Sequence, residues 1–331
     1  MLEGRIIILT KVLIALLVLT VSVYAPHFAG DYYLSILRTV LMWTALAISW
    51  QFFSGLTKYV ALGSAGFFGI GLYFTAKYLE FSIRYGYWPV LPLPVIVLLA
   101  GLVNFALASV IGLVTLRLKG IYFAILTFGV SEVFKNVFQW WEIKVTGTRG
   151  TYIPIYFNST EAYYSVLVTT IGIFLLLSLL RRSKFGLALR MVGECEEAAV
   201  HVGVNTSLFK TLGFAVSAMC IGIMGACFTT RFPYINTDIA FGSEYSFLPA
   251  IMTLLGGAGT FYGPIIGSVM ISLLSHYLGV AYVHYFQLIL GLILVAIVVF
   301  MPNGIMGLIG TLKAKWHVQR KELAKVPGKL L

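Results

Sequence analysis

The sequence predicts an all-α polytopic membrane protein with about ten transmembrane segments, a weak internal repeat and cytoplasmic N- and C-termini. Three observations predict it. The chain is 60% hydrophobic and 11% charged, with a mean hydropathy of +0.94, whereas soluble domains carry about 25% charged residues. Its apolar residues gather in runs near the roughly 20 residues that a helix needs to cross a bilayer. One long polar interval, Arg181 to Lys210, divides them into two hydrophobic blocks. The net charge of +11 does not imply a nucleic-acid partner, because the basic residues lie between runs and form no patch on a soluble fold.

The first run, Val12 to Ala25, follows Arg5 and Lys11 and reads as a span entered from the cytoplasm; a signal peptide ending at Ala25 is the alternative. Tyr33 to Phe53, Val60 to Leu79, Pro89 to Thr115, Ile121 to Trp141 and Tyr164 to Leu180 follow. After the polar interval come Thr211 to Thr229, Phe247 to Leu255, Ile265 to Val283 and Phe286 to Met301. Phe247 to Leu255 is too short to cross alone and reads as a broken or re-entrant helix. With the N-terminus inside, only Lys77, Arg84, Lys144, Arg149 and Arg231 fall outside, and Arg38 and Lys135 fall within spans. The remaining lysines and arginines are cytoplasmic, as the positive-inside rule requires. Residues 1–310 thus form the membrane domain, with 181–210 as its cytoplasmic loop, and 311–331 form a basic cytoplasmic tail.

Within the polar interval, Glu194 to Val202 reads as one short helix. Glu194, Glu196 and Glu197 fall in its first turn, where the helix dipole favours carboxylates, and Gly203 is placed to end it. Cys195, Ala198, Ala199 and Val202 share a small apolar face, while Glu194, Glu197 and His201 share the polar one. So short a helix needs a partner surface; a plain connector lying on the membrane is the alternative.

Two glycine-rich stretches, Leu62 to Gly71 and Leu255 to Pro264, both begin Leu-Gly-small-Ala-Gly and reach a Phe at the same offset. Gly63, Ser64, Gly66 and Gly69 in one, and Gly256, Gly257, Gly259 and Thr260 in the other, are candidates for a midplane substrate path. Close helix packing through small residues explains them equally well. Glu132 and Lys135 are three residues apart on one predicted span and could meet on one face. A charge at that depth costs roughly 2.5–3.5 kcal/mol, so the pair faces protein or water, as a structural pair or as part of a path.

The histidines lack paired metal-ligand spacing, and Cys195, Cys220 and Cys227 imply neither a metal site nor a disulfide framework. No GxxxxGK[ST] loop occurs, so any ATP that powers the protein is held by another subunit.

Arg190 to Ala199, followed by His201-Val202-Gly203-Val204-Asn205, resembles the EAA-type coupling loop of bacterial and archaeal ABC importer permeases, in the form found in LivM-type branched-chain amino acid permeases. Leu116 to Ile125 with Glu132, Phe67 to Gly71, Leu255 to Thr260 with Gly263-Pro264, and Pro302 to Gly307 look like family segments in family order. The resemblance implies a permease in the cytoplasmic membrane that binds no cofactor itself. It implies pairing with a second, LivH-like permease, two ABC ATPase subunits carrying ATP and Mg, an extracytoplasmic solute-binding protein, and surrounding membrane lipid. Glu194, Glu196, Glu197, Ala198, Ala199 and Gly203 would dock the ATPase.

One departure bears on substrate. Where the family has Thr-Gly-Gly-Ser/Ala-Asp/Asn-Gly, this chain has Thr146-Gly147-Thr148-Arg149-Gly150. Arg149 would touch the binding protein or a lipid headgroup, or favour an anionic group on the solute. The outer acids Asp31, Glu80, Glu142, Glu161, Asp238 and Glu244 are candidates for docking the binding protein, or are simply solvated. A sugar or nucleoside permease is the nearest alternative. A secondary transporter would need more midplane ionisable groups than Glu132, and a membrane enzyme would need a catalytic cluster, which the sequence lacks.

Overall fold

In the computed structural model the described residues are mostly helical, because a backbone crossing lipid must satisfy its hydrogen bonds within itself. The structure describes residues 20, 22–28, 30–84, 86–89, 91–147, 149–153, 158–282, 285, 288–289, 291–292, 295 and 304–307. The predicted span at 12–25 lies mostly outside these residues, as does that at 286–301, and the tail 311–331 lies wholly outside them.

The first described long helix, α1 (Asp31–Trp50), continues through a wider π-type turn at Gln51–Gly55. A connector over residues 56–63 leads to α2 (Ser64–Leu79). α3 (Leu93–Thr115) follows an extended Pro92 and carries Pro94 in its first turn, where a missing N–H costs nothing and the fixed φ suits a helix entry. α4 (Ile121–Trp141) follows and runs on in a π-type turn, Glu142–Thr146. α5 (Ser159–Arg182) leads into two short helices, α6 (Lys184–Glu194) and α7 (Glu196–His201). α8 (Thr206–Phe228) returns into the bundle. It is followed by α9 (Thr237–Ala240), α10 (Glu244–Gly256) and α11 (Gly263–Ala281). A two-residue strand, β1 (Thr151–Tyr152), pairs antiparallel with β2 (Tyr234–Ile235).

Among the described residues, six helical stretches are long and apolar enough to cross a membrane: residues 31–55, 93–115, 121–145, 159–182, 206–231 and 237–256. Five of them match predicted spans with shifts of a few residues, and the sixth takes in Phe247 to Leu255 but begins ten residues earlier. The predicted span Val60 to Leu79 is a connector to Gly63 and then the 16-residue α2, and Ile265 to Val283 falls on a shorter apolar helix, Gly263–Gly279. α10 is broken from α9 and is about 20 Å long at 1.5 Å per residue, short of the roughly 30 Å hydrocarbon core.

α8 is the central post. It packs on α3, α2, α1 and α5, and 83% of its most apolar stretch is buried. Glycine makes this possible: a Cβ on Gly71 would strike the carbonyl of Gly222, and one on Gly225 would strike that of Phe68. The α2 and α8 backbones therefore meet directly, as small-residue seams allow in lipid, where van der Waals contact drives helix association. Around the seam, Phe53, Phe67, Phe123 and Phe214 pack largely edge to face.

Candidate functional site

The polar interval folds as an elbow of two helices, which corrects the single helix expected over Glu194 to Val202. Cys195 is extended, at φ −156° and ψ 106°, so Glu194 ends α6 and only Glu196 and Glu197 lie in the first turn of α7. The break has a tertiary cause. A Cβ on Gly193 would strike the carbonyl of Leu56, so α6 ends against the connector.

Gly203 does terminate the helix. It sits at φ +89°, its N–H donates to Val200 O at 2.9 Å, and the N–H of Val204 donates to Ala199 O at 3.0 Å. These two bonds form a Schellman motif. The shared apolar face is also corrected: Ala199 alone is buried, while Cys195, Ala198 and Val202 are exposed.

The two neighbouring glutamates point opposite ways. Glu197 is exposed. Glu196 accepts from Lys210 Nζ at 2.6 Å and from the Tyr59 hydroxyl at 2.8 Å. Burial alone would raise its pKa. Hydrogen bonds from Lys210 and Tyr59, with the added attraction of Lys210 and Lys119, more than offset that, and its carboxyl is held below the ordinary range. Lys210 is itself only 5% exposed, so Glu196 is what keeps a buried ammonium tolerable. The elbow and the residue after it expose Glu194, Glu197 and His201 together with Leu187, Val200 and Val202.

The expected path residues fall into three groups. Gly63, Ser64, Gly66 and Gly69 form the first turns of α2, where it meets α4, α9 and α10. A Cβ on Gly63 would lie 2.9 Å from Thr127 O and one on Gly66 3.1 Å from Ser131, while one on Gly69 would strike the Phe241 ring. Ser64 is buried. Two hydroxyls from neighbouring helices serve donors at this helix start: Leu62 N–H donates to Thr127 Oγ1 and Ala65 N–H to Ser246 Oγ, each at 3.1 Å.

Glu132 lies beside this group on α4, where the Ser243 hydroxyl donates to Oε1 at 3.5 Å. Glu132 and Lys135 do not pair, contrary to expectation. Lys135 Nζ lies 2.8 Å from Asp238 Oδ1 instead, so each finds its partner near the α9–α10 break.

The second group, Gly256, Gly257, Gly259 and Thr260, is the turn between α10 and α11, on the elbow's end of the bundle. Thr260 Oγ1 accepts from Gly263 N–H at 3.2 Å, and Gly257 needs its φ of +110°. Gln51 Nε2 donates to Ala258 O at 3.1 Å and Arg181 Nη2 to Gly259 O at 3.4 Å. One glycine stretch therefore opens a helix while the other closes one.

The third group, Thr146, Gly147 and Arg149, follows the far end of α4. Gly147 is at φ +70°, the side chain of Arg149 is exposed, and its carbonyl accepts from the Tyr234 hydroxyl. Nearby, two outer acids prove to be internal. Glu142 is buried and accepts from the Tyr73 hydroxyl at 2.9 Å, and Glu80 is buried beside Lys77 at 2.8 Å.

The sequence reading missed Tyr59, Ser243 and Ser246, and it named Asp238 as an outer acid without its partner Lys135. Lys210 offered a signal, as a cation at the mouth of an apolar run, fourteen residues after Glu196. The others carry none, because their partners are distant in sequence.

These features define a class: a multi-pass helical membrane protein with an exposed elbow at one end of its bundle. The chain belongs to the family described as branched-chain amino acid transport system / permease component, whose model matches residues 32–298. It is 25% identical to the high-affinity branched-chain amino acid transport system permease protein LivM of Salmonella typhimurium, over 89% of this chain and 74% of that one. The LivM of Escherichia coli gives the same identity and coverage. The autoinducer 2 import system permease protein LsrC of Salmonella choleraesuis is 24% identical over 49% of this chain and 48% of that one. No solved structure matches significantly.

Proposed function

We propose that the chain is the permease subunit of an ABC importer, moving a branched-chain amino acid or related small polar solute across the cytoplasmic membrane by alternating access. On this reading it has no ATP site of its own. Two ATPase subunits supply the nucleotide chemistry, with ATP and Mg bound there, a second LivH-like permease completes the path, and an extracytoplasmic binding protein delivers solute. The chain crosses about ten times with both ends inside, if the apolar stretches at 12–25 and 286–301 span as their composition suggests.

The observation that carries the reading is the elbow. Its outward face exposes Glu197 and His201 beside Val200 and Val202, a mixed surface suited to a protein partner, while Glu196 anchors it from behind. The path itself is proposed along α4. Glu132 and Asn136 sit on its unburied side, which lipid cannot satisfy, and Gly63, Ser64, Gly66 and Gly69 bring α2 close behind. In this scheme Thr146, Gly147 and Arg149 form the outer mouth, and Gly256, Gly257, Gly259 and Thr260 form the packed turn at the inner end. Arg149 there meets the binding protein, a lipid headgroup or an anionic group of the solute.

The relation to LsrC favours a second reading, a sugar-like solute. Uptake of radiolabelled leucine by proteoliposomes holding the permease pair and its ATPases, supplied with the binding protein, tests both. ATP-dependent leucine uptake resisted by excess unlabelled isoleucine but not by ribose supports the first reading. No leucine uptake with ATP-dependent ribose uptake would replace it with the second.

A further inference from the structure

We infer that Glu196, Tyr59 and Lys210 form a strut that carries movement of the elbow into α2 and α4, and that Glu196 is a positioning residue rather than a docking contact. The inference rests on the reading that an ATPase docks on the elbow's outward face. Both carboxylate oxygens of Glu196 are committed inward: Oε1 to Lys210 Nζ at 2.6 Å, and Oε2 to the Tyr59 hydroxyl at 2.8 Å. Lys210 Nζ also donates to the Tyr59 oxygen at 3.3 Å and lies 4.9 Å from the centre of its ring. The three side chains thus close a ring of contacts between α7, the start of α8 and the connector.

The connector is built to pass a displacement on. Its Lys58 sits at φ +60°, a left-handed conformation that a side-chain-bearing residue keeps only when its surroundings impose it. Next to it, Tyr59 is buried edge-on against Phe123 of α4, with ring centres 5.6 Å apart. Ala61 O accepts from Trp50 Nε1 at 2.6 Å, and Leu62 N–H donates to Thr127 of α4 at 3.1 Å. The next residue, Gly63, caps α2. A shift of α7 that moves Tyr59 therefore reaches the first turn of α2 and the first two turns of α4 through packed, hydrogen-bonded neighbours. Gly193, seated against Leu56, braces the connector from the other side.

The test is amide hydrogen exchange on the assembled importer, with and without ATP and vanadate. In the wild type, nucleotide changes exchange both in residues 184–204 and in 56–66. In Tyr59→Phe, which removes one hydroxyl and keeps the ring, and in Glu196→Gln, the ATPase still co-purifies and 184–204 still responds. The response of 56–66 falls about fivefold, within the range that single positions along a coupling network produce. Lys210→Arg, which keeps the charge, retains most of the response. The inference is overturned if 56–66 responds in Tyr59→Phe as in the wild type, or if Glu196→Gln loses the ATPase as a docking residue would. Failure of the underlying reading looks different: no ATPase accompanies the wild-type chain, or nucleotide leaves 184–204 unchanged.

Discussion

α3 and α4 are neighbouring spans that both leave most of their surface outside the fold, yet they leave out different chemistry. Of their most apolar stretches, 39% of α3 and 22% of the α4 span are buried. The unburied side of α3 is Leu98, Leu99, Leu102, Val103, Val110 and Leu113, a surface that lipid covers at no cost. The unburied side of α4 mixes Ile125, Val133 and Val137 with half-buried Glu132 and Lys135 and exposed Asn136. An intramembrane carboxylate and amide call for a partner or for water. An aromatic cavity of about 510 Å³, lined by Tyr73, Phe74, Phe134 and Trp141, separates the outer halves of the two spans. The difference teaches that low burial alone does not mark a lipid face; the polarity of what is unburied does.

The strongest way to break this comparison is to reverse the charge on α4. Glu132→Lys should cut initial uptake roughly 100-fold, matching the roughly 2.5–3.5 kcal/mol assigned to a misplaced charge at depth, while the ATPase still co-purifies. Near-normal uptake would return α4 to the lipid.

The next effect concerns the elbow, whose exposed polar groups form the proposed docking face. Glu196→Ala strands Lys210 and should destabilise the chain by about 3 kcal/mol, as removing one partner of a buried pair does, read as a lower melting temperature in detergent. Its pH dependence has a defined sign. Because the folded carboxyl is held below its ordinary value of 4.5, the stabilisation is present above that value and is lost as pH falls through the lower folded one. The gap between wild type and Glu196→Gln should therefore be constant from pH 8 down to about 5 and close below it. Lys210, Tyr59 and Lys119 are the groups that set this.

A smaller loss, about 1–3 kcal/mol from overpacking, is expected for Gly71→Ala, because a Cβ there strikes the Gly222 carbonyl. Last, Leu102→Ala on α3 should change stability by no more than about 0.5 kcal/mol and leave uptake unaltered. A large effect there would show that α3, and not α4, meets a partner.

Much of this was legible in the sequence. Apolar run length located α3, α4, α5 and α8, and Gly203 announced its helix end, because both signals are local. The break at Cys195 was not legible. It depends on Gly193 meeting Leu56 and on Glu196 reaching Lys210 and Tyr59, contacts that no periodicity encodes. For the same reason, three glutamates in one short stretch read alike, although one is an anchor and two face outward. The spacing of Glu132 and Lys135 suggested each other, whereas the fold supplies Ser243 and Asp238 from around the break before α10. The glycine stretches gave position without purpose, since packing at Gly63 and Gly66 and the turn at Gly257 look identical as letters.

The most direct measurement is a pull-down of the chain from mildly solubilised membranes, comparing wild type with Glu197→Arg plus Val200→Asp on the outward face of the elbow. The account predicts that an ATPase and a second permease accompany the wild type, and that the double substitution loses the ATPase while keeping the second permease. Equal recovery of the ATPase with both chains, or none with the wild type, would contradict it.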